Sequence, residues 1–306
     1  MGLPSSSPDP SVDPDAEFIY AVLQILHTLF ENLTQSFSRP LITSIHVLEP
    51  SSFKSPLGSE VYILTAESPP QTLLQGTQAL CTEFSPQLVD QVGARMVEKL
   101  QKAYMKGFLC DTSLEAFETV LRNQLALVGA KVEWLVIQGG LVGGFGFAVA
   151  RQDDEAKKIL KNGKEGKDKK NRKSRKRIEK LYQVNSDRDH SVFQVTSRNG
   201  TVYIADFTFE QFGFDGKDWF LPRDLYVERY AQNRELQLFT EGDRMELDGI
   251  AYDRNWLGHV WEFCEKSLDW EFLVRLRAEK RVEEVTRAAR ESWGLMEAGR
   301  VRMCPV

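Results

Sequence analysis

The sequence predicts an α+β fold: N-terminal helices packed on an antiparallel sheet, followed by a C-terminal helical extension. Three observations predict it. Apolar residues recur at helical spacing from Phe18 to Phe37 and from Leu114 to Val128. Ser191–Thr196 and Thr201–Thr208 read as two strands joined at Arg198-Asn199-Gly200, and Asn-Gly is a strong hairpin signal. After Gln232 the pattern returns to helix, at Trp256–Ser267 and Asp269–Ser292.

The elements follow in order. Residues 1–16 are Ser/Pro/Asp-rich and read as a disordered tail. The first helix is apolar at 18, 19, 22, 23, 25, 26, 29, 30 and 33. Ile42–Val47 and Glu60–Leu64 are β-like and flank a Pro/Ser loop. Thr72–Tyr104 reads as helix in two parts, broken near Ser85-Pro86. Thr112-x-x-Glu115 forms a capping box that would start the next helix, and Gly129 ends it. Lys131–Ala150 reads as two strands around the glycine turn 139–143. The domain reading is a tail at 1–16, an α+β domain at 17–232 with a basic disordered insertion at 153–180, and a helical extension at 233–306. No internal repeat is visible.

Charge sharpens that division. The 306 residues hold 39 Lys+Arg and 44 Asp+Glu, a net charge of −5. Yet Lys157–Lys180 alone carries +10, so the rest is acidic. This excludes a generally basic nucleic-acid binder. Four cysteines (81, 110, 264, 304) are too few and scattered for a disulfide scaffold, and a reducing compartment is the expectation. No metal-type Cys or His spacing exists, so neither a metal nor a cofactor is expected. Asp13, Asp15 and Glu17 precede the first apolar run where a signal peptide needs positive charge. Gly2 fits a loose myristoylation pattern, disfavoured by Pro4. Cys304 stands third from the end, not fourth as a prenylation box requires. Trp134–Ala150 is uncharged, but its glycines and the flanking Glu133 and Arg151 favour strands over a membrane span. The same glycines lack the Gly-Lys-Ser/Thr of a phosphate loop, and close strand packing explains them better.

One constellation carries chemistry. If the hairpin loop is the three-residue kind with Gly200 left-handed, residue 197 pairs with 201. His190 and Asp206 then share a face as diagonal neighbours. A two-residue loop would put them on opposite faces. The turn chemistry permits the first arrangement without forcing it. An Asp beside a His fixes the ring's tautomer and stabilises the imidazolium. Cys110, in Gly107-Phe-Leu-Cys110-Asp111 at a helix start, is the candidate nucleophile, because a helix N-terminus and a nearby imidazolium both favour thiolate.

These residues resemble a known superfamily. Gly-x-x-Cys110-Asp before an amphipathic helix, the strand Lys131–Ile137, then His190-x-x-x-x-Val195 and Asn199-Gly200-x-x-Tyr203-x-x-Asp206-x-Thr208-x-x-Gln211-Phe-Gly213 are similar to the core of the transglutaminase-like, papain-like cysteine superfamily. The resemblance runs from Gly107 to Gly213. It implies a papain-like core and a catalytic triad of Cys110, His190 and Asp206. It departs in three places. The capping box starts the helix after Cys110, Phe193 stands where the family often has a nearer aromatic, and the Cys-to-His gap is lengthened by the basic tract.

The implied chemistry is acyl transfer or amide or ester hydrolysis on a protein or peptide substrate. The rival is a catalytically degenerate member of the fold serving as an interaction module. Cys81, Cys264 and Cys304 lack a comparable context, and His27, His46 and His259 read as structural. Tyr203 and Gln211 stand near Asp206 and read as support. Residues 157–180 read as a solvated loop, with nuclear import or a polyanion contact as the functional alternatives. The location expected is cytoplasmic, or nuclear through that tract.

Overall fold

A computed structural model describes residues 13–36, 41–48, 60–66, 84–107, 109–151, 189–240 and 255–297. The tail up to residue 12, the basic insertion 153–180, Cys81, Cys304 and most of the first half of the helical reading at 72–104 lie outside the described residues. The chain is α+β, with eight helices and two sheets among the described residues.

The first helix, α1 (Ala16–Ser36), buries the predicted stripe of Ile19, Val22, Leu23, Leu26, Leu29, Phe30 and Leu33. Ile25, also in that stripe, and Ala21, outside it, are buried as well, so α1 is a core helix rather than a surface one. The described chain begins before it, at residue 13, inside the stretch read as tail. Asp13 is buried, caps the turn by accepting from Asp15 N at 3.0 Å, and accepts from Tyr203 Oη at 2.9 Å.

Two strands follow, β1 (Ile42–Leu48) and β2 (Val61–Ala66), paired antiparallel. Two helices follow them, α2 (Leu88–Val92) and α3 (Ala94–Lys106). They are separated at Gly93, whose φ of +81° is left-handed and ends the first. The helix α4 (Cys110–Ala126) buries Leu114, Phe117, Leu121 and Leu125 on one face, and Gly129 (φ +70°) ends the turn behind it. Its start corrects the capping-box expectation. Thr112 lies inside the helix, the N-cap residue is Leu109, and no side chain caps it.

The next strands are β3 (Lys131–Ile137), β4 (Gly146–Arg151), β5 (His190–Thr196) and β6 (Val202–Ala205). Although β3 and β4 are sequence neighbours, they belong to different sheets. β4 pairs parallel with β2 in a three-stranded sheet ordered β1-β2-β4. The glycines between them permit close backbone approach: a Cβ on Gly144 would stand 2.4 Å from Phe212 O. That accords with packing rather than phosphate binding.

The second sheet is antiparallel and five-stranded, ordered β7-β6-β5-β3-β8, with β7 at Phe220–Pro222 and β8 at Leu236–Leu238. The hairpin β5–β6 has the three-residue register. Phe193 pairs with Ala205 and Thr196 with Val202, Ser197 N donates to Thr201 O at 2.9 Å, and Gly200 has φ +90°.

The remaining helices are α5 (Arg223–Tyr230), α6 (Asn255–Lys266), α7 (Trp270–Arg275) and α8 (Ala278–Glu297). The single helix read at 269–292 is therefore two. Buried Arg281 explains the break, because its guanidinium donates to the carbonyls of Leu273, Val274 and Leu276 that α7 leaves open. One hydrophobic core joins α1, α4, the five-stranded sheet and α6–α8, and a smaller one lies between the three-stranded sheet and α2–α3.

Candidate functional site

The strand register decides the geometry. With the three-residue turn, Asp206 follows β6 on the same face as His190 at the start of β5. His190 Nε2 and Asp206 Oδ2 are 2.7 Å apart, and both side chains are fully buried. Asp206 is held from several sides. Its Oδ2 accepts from Tyr226 Oη at 2.7 Å, its Oδ1 accepts from Thr208 N at 3.1 Å and Thr208 Oγ1 at 3.5 Å, and its own N–H donates to Trp219 O at 2.7 Å. A carboxylate with that many donors keeps its place and fixes the ring it faces.

The other ring nitrogen has its own partner. Gln211 Nε2 lies 2.9 Å from His190 Nδ1 and 3.2 Å from Thr208 Oγ1. Gln211 sits on a 3-10 turn, Phe209–Phe212, and is buried. Phe212 closes the ring's side, edge-on with centroids 4.9 Å apart. Gln211 thus supports the ring, as its position in the sequence suggested. Tyr203 turns away from the site to Asp13. Tyr226 is the residue that sequence reasoning missed, since α5 was not read as an element and no motif marks it. Its phenol pKa is pushed well above the ordinary value, first by burial and then by the Asp206 charge.

Cys110 is the first residue of α4, where four backbone N–H groups lack helical partners and the helix dipole favours negative charge. Cys110 as a whole residue is 8% exposed. Burial raises its pKa and Asp111 adds to the rise, while the backbone N–H groups of Ser191 and Asp111 oppose it. Ser191 is the neighbour of His190 on β5, so Cys110 and His190 lie on adjoining elements. Among the described residues, however, no hydrogen bond joins the thiol to the imidazole. The thiol's bond runs to Asp111 Oδ1 at 3.8 Å.

The other candidates fall elsewhere. Cys264 is fully buried with its thiol pushed up to about 12, chiefly by burial. His46 and His259 are exposed, so neither is a core residue. His27 stacks on Trp219 with centroids 4.4 Å apart and an interplanar angle of 4°. Its donor atom gathers with those of Glu31 and Glu210 within 4.8 Å. The cation there is Lys106, 2% exposed, which ion-pairs with Glu31 and lies 2.6 Å from Glu210 Oε2. A cleft of about 330 Å³ opens beside this cluster between α1 and α8, lined by Gln24, His27, Glu31, Trp219 and Arg290 among others. It reaches none of Cys110, His190 and Asp206. Among the described residues no helix is long and apolar enough to cross a membrane.

No family model matches the chain, and neither a curated protein nor a solved structure matches it.

Proposed function

We propose that this protein carries out cysteine-dependent acyl transfer, or hydrolysis of an amide or ester, on a transglutaminase-like core. The observation that carries the reading is the buried His190 Nε2–Asp206 Oδ2 pair at 2.7 Å, on a strand against which α4 packs with Cys110 at its head. Cys110 attacks the acyl carbonyl of a protein or peptide substrate. His190 takes the thiol proton and returns one to the leaving group. Asp206 holds the ring's Nε2–H and stabilises the imidazolium. The Cys110 backbone N–H, at the head of α4, is the first donor for the oxyanion. Water or an amine then accepts the acyl group. The basic tract 157–180 is proposed as a contact for a polyanion or an import receptor.

A second reading has its own support. The buried, high-pKa thiol and the capped Nδ1 suit a catalytically silent member of the fold that serves as an interaction module. Iodoacetamide labelling at pH 6 separates the two. Selective modification of Cys110, slowed about tenfold or more in His190→Ala, is the result expected of a working pair. Labelling no faster than that of an ordinary exposed thiol, and unchanged in His190→Ala, supports the silent module.

A further inference from the structure

We propose that Arg234 is an anion subsite: its guanidinium, laid across the glycine turn at the His190 end of the five-stranded sheet, takes a carboxylate of an acidic peptide. The proposal rests on the acyl-transfer reading above and narrows its substrate class.

The strand register puts the group there. At one end of the sheet Leu236 of β8 pairs with Ile137 of β3, and Ile137 pairs with His190 of β5. Just beyond that row, Gln138 N donates to Glu235 O at 3.0 Å, and Gly139 N donates to Asp189 Oδ1 at 3.0 Å. The Arg234 side chain lies over Gly139: a Cβ on that glycine would stand 3.0 Å from Arg234 Nη1 and 3.6 Å from Cζ. Gly139 also has φ +71°, so its bare Cα serves both the turn and the guanidinium. Neighbouring strands lie about 4.8 Å apart, which sets a guanidinium over the middle strand roughly 5–10 Å from the His190 backbone. An extended peptide covers that span in about two or three residues.

The seat is fixed and the charge is uncommitted. Val142 N donates to Tyr230 O at 2.7 Å, which ties the far side of the glycine turn to the end of α5. Asn233 is the one non-glycine residue with a positive φ (+57°) among the described residues, and it turns the chain sharply between α5 and β8. Arg234 N closes that turn by donating to Ala231 O at 3.1 Å. Yet among the described residues no hydrogen bond or ion pair reaches the guanidinium, and its Nε is buried without a partner. The carboxylates beside it in sequence and register are engaged elsewhere. Asp189 accepts from Gly139 N, and Glu235 Oε1 accepts from Gln237 Nε2 at 2.7 Å. A half-buried guanidinium without acceptors is unfavourable until an anion supplies them. Local charge sets the class of anion. A single arginine near the Asp189 carboxylate suits a monoanion and disfavours a dianionic phosphate, and the two oxygens of a carboxylate match the guanidinium fork.

The experiment titrates the full chain with small probes and follows the Arg234 Nε–H and Gly139 N–H signals by NMR. N-acetylglutamate α-amide carries a side-chain carboxylate, N-acetylglycine a terminal one, and N-acetylglutamine amide none. The carboxylate probes should give saturable shifts at Arg234, tighter by on the order of tenfold than at an exposed, paired arginine such as Arg275. The tighter of the two identifies whether a side chain or a chain end is read. The neutral probe should give none. Arg234→Met keeps the stem over Gly139 and removes the charge. It should abolish the shift at Gly139 while the urea midpoint holds or rises, since no partner is lost. An equal response to the neutral probe, no response to any, or tighter binding of inorganic phosphate than of either carboxylate overturns the proposal. So does a fall in the urea midpoint of Arg234→Met with the Gly139 shift retained, which makes the arginine a packing residue. Cys110 labelling with and without His190→Ala is read in parallel. A silent Arg234 beside His190-dependent labelling overturns the subsite alone, and a working subsite beside His190-independent labelling overturns the acyl-transfer reading alone.

Discussion

Two histidines, His190 and His27, lie against the same hydrophobic core, the first fully buried and the second half-buried beside the cleft, and their surroundings give them opposite characters. His190 has a carboxylate on one nitrogen and an amide on the other. His27 lies flat on Trp219, and its Nε2, 3.4 Å from Glu31 Oε1, lacks hydrogen-bond geometry. Burial first, and then the Lys106 ammonium, push His27 down to about 3. Burial alone makes a neutral structural ring. A base needs, in addition, a partner that stabilises the charged form, and Asp206 is placed to be that partner.

The comparison can be broken at Lys106, where the largest effect is expected. Burial pulls its pKa down, but Glu210 and Glu31 more than offset that. Lys106→Ala would leave both carboxylates without their buried counter-ion, at a cost of about 3–5 kcal/mol by urea unfolding. It would also make the surroundings of His27 resemble those of His190, with carboxylates and no opposing ammonium. A loss under about 1 kcal/mol would mean that the cluster is solvated and that His27 is not held neutral by it.

The next effect is a pH dependence. His27 stays neutral in the folded protein down to about 3, whereas an unfolded histidine takes up a proton near pH 6.5. Below pH 6.5 the unfolded state therefore binds the extra proton, and stability falls with pH until the folded value is reached. Between pH 7 and pH 5 this amounts to about 2 kcal/mol. His27→Phe preserves the stack on Trp219 and should remove that drop from urea unfolding curves. An equal drop in the variant would assign it to other groups.

The smallest effect sharpens the description of His190. Tyr226→Phe removes one donor from Asp206 Oδ2 and leaves His190 and Thr208 in place. It should cost about 1 kcal/mol and change Cys110 labelling only a few-fold. A loss of labelling as large as that of His190→Ala would make Tyr226 part of the catalytic unit.

The features legible in the sequence were those with local causes. Asn199-Gly200 sets a turn, the turn sets the strand parity, and the parity brings His190 and Asp206 to one face. The stripe of α4 was equally plain, from Leu114 to Leu125. Features with distant causes were not legible. β4 pairs with β2 rather than with its neighbour β3, a choice made by the three-stranded sheet and not by the glycines between them. The break between α7 and α8 depends on Arg281 reaching back across a turn, which an unbroken helical pattern conceals. The capping box at Thr112 is a real motif that goes unused, because α4 extends to Cys110 and leaves its first N–H groups for the thiol's end. That extension matters for the site, since it places the thiol at the helix terminus.

The departure of β4 to the other sheet also has a kinetic consequence. Ile137 and His190 are paired neighbours across β3 and β5, yet the whole excursion through β4 lies between them. The half of the site carrying Cys110, α4 with β3, is contiguous in sequence. So is the half carrying His190, Asp206 and Gln211. Each can form from local contacts, and the two halves meet only when the chain between them closes. Closure entropy grows only with the logarithm of loop length, so removing residues 157–180 would lower it by about 0.6 kcal/mol. By that measure the basic tract imposes almost no burden on the assembly of the site, and the chain can carry it there whatever its use.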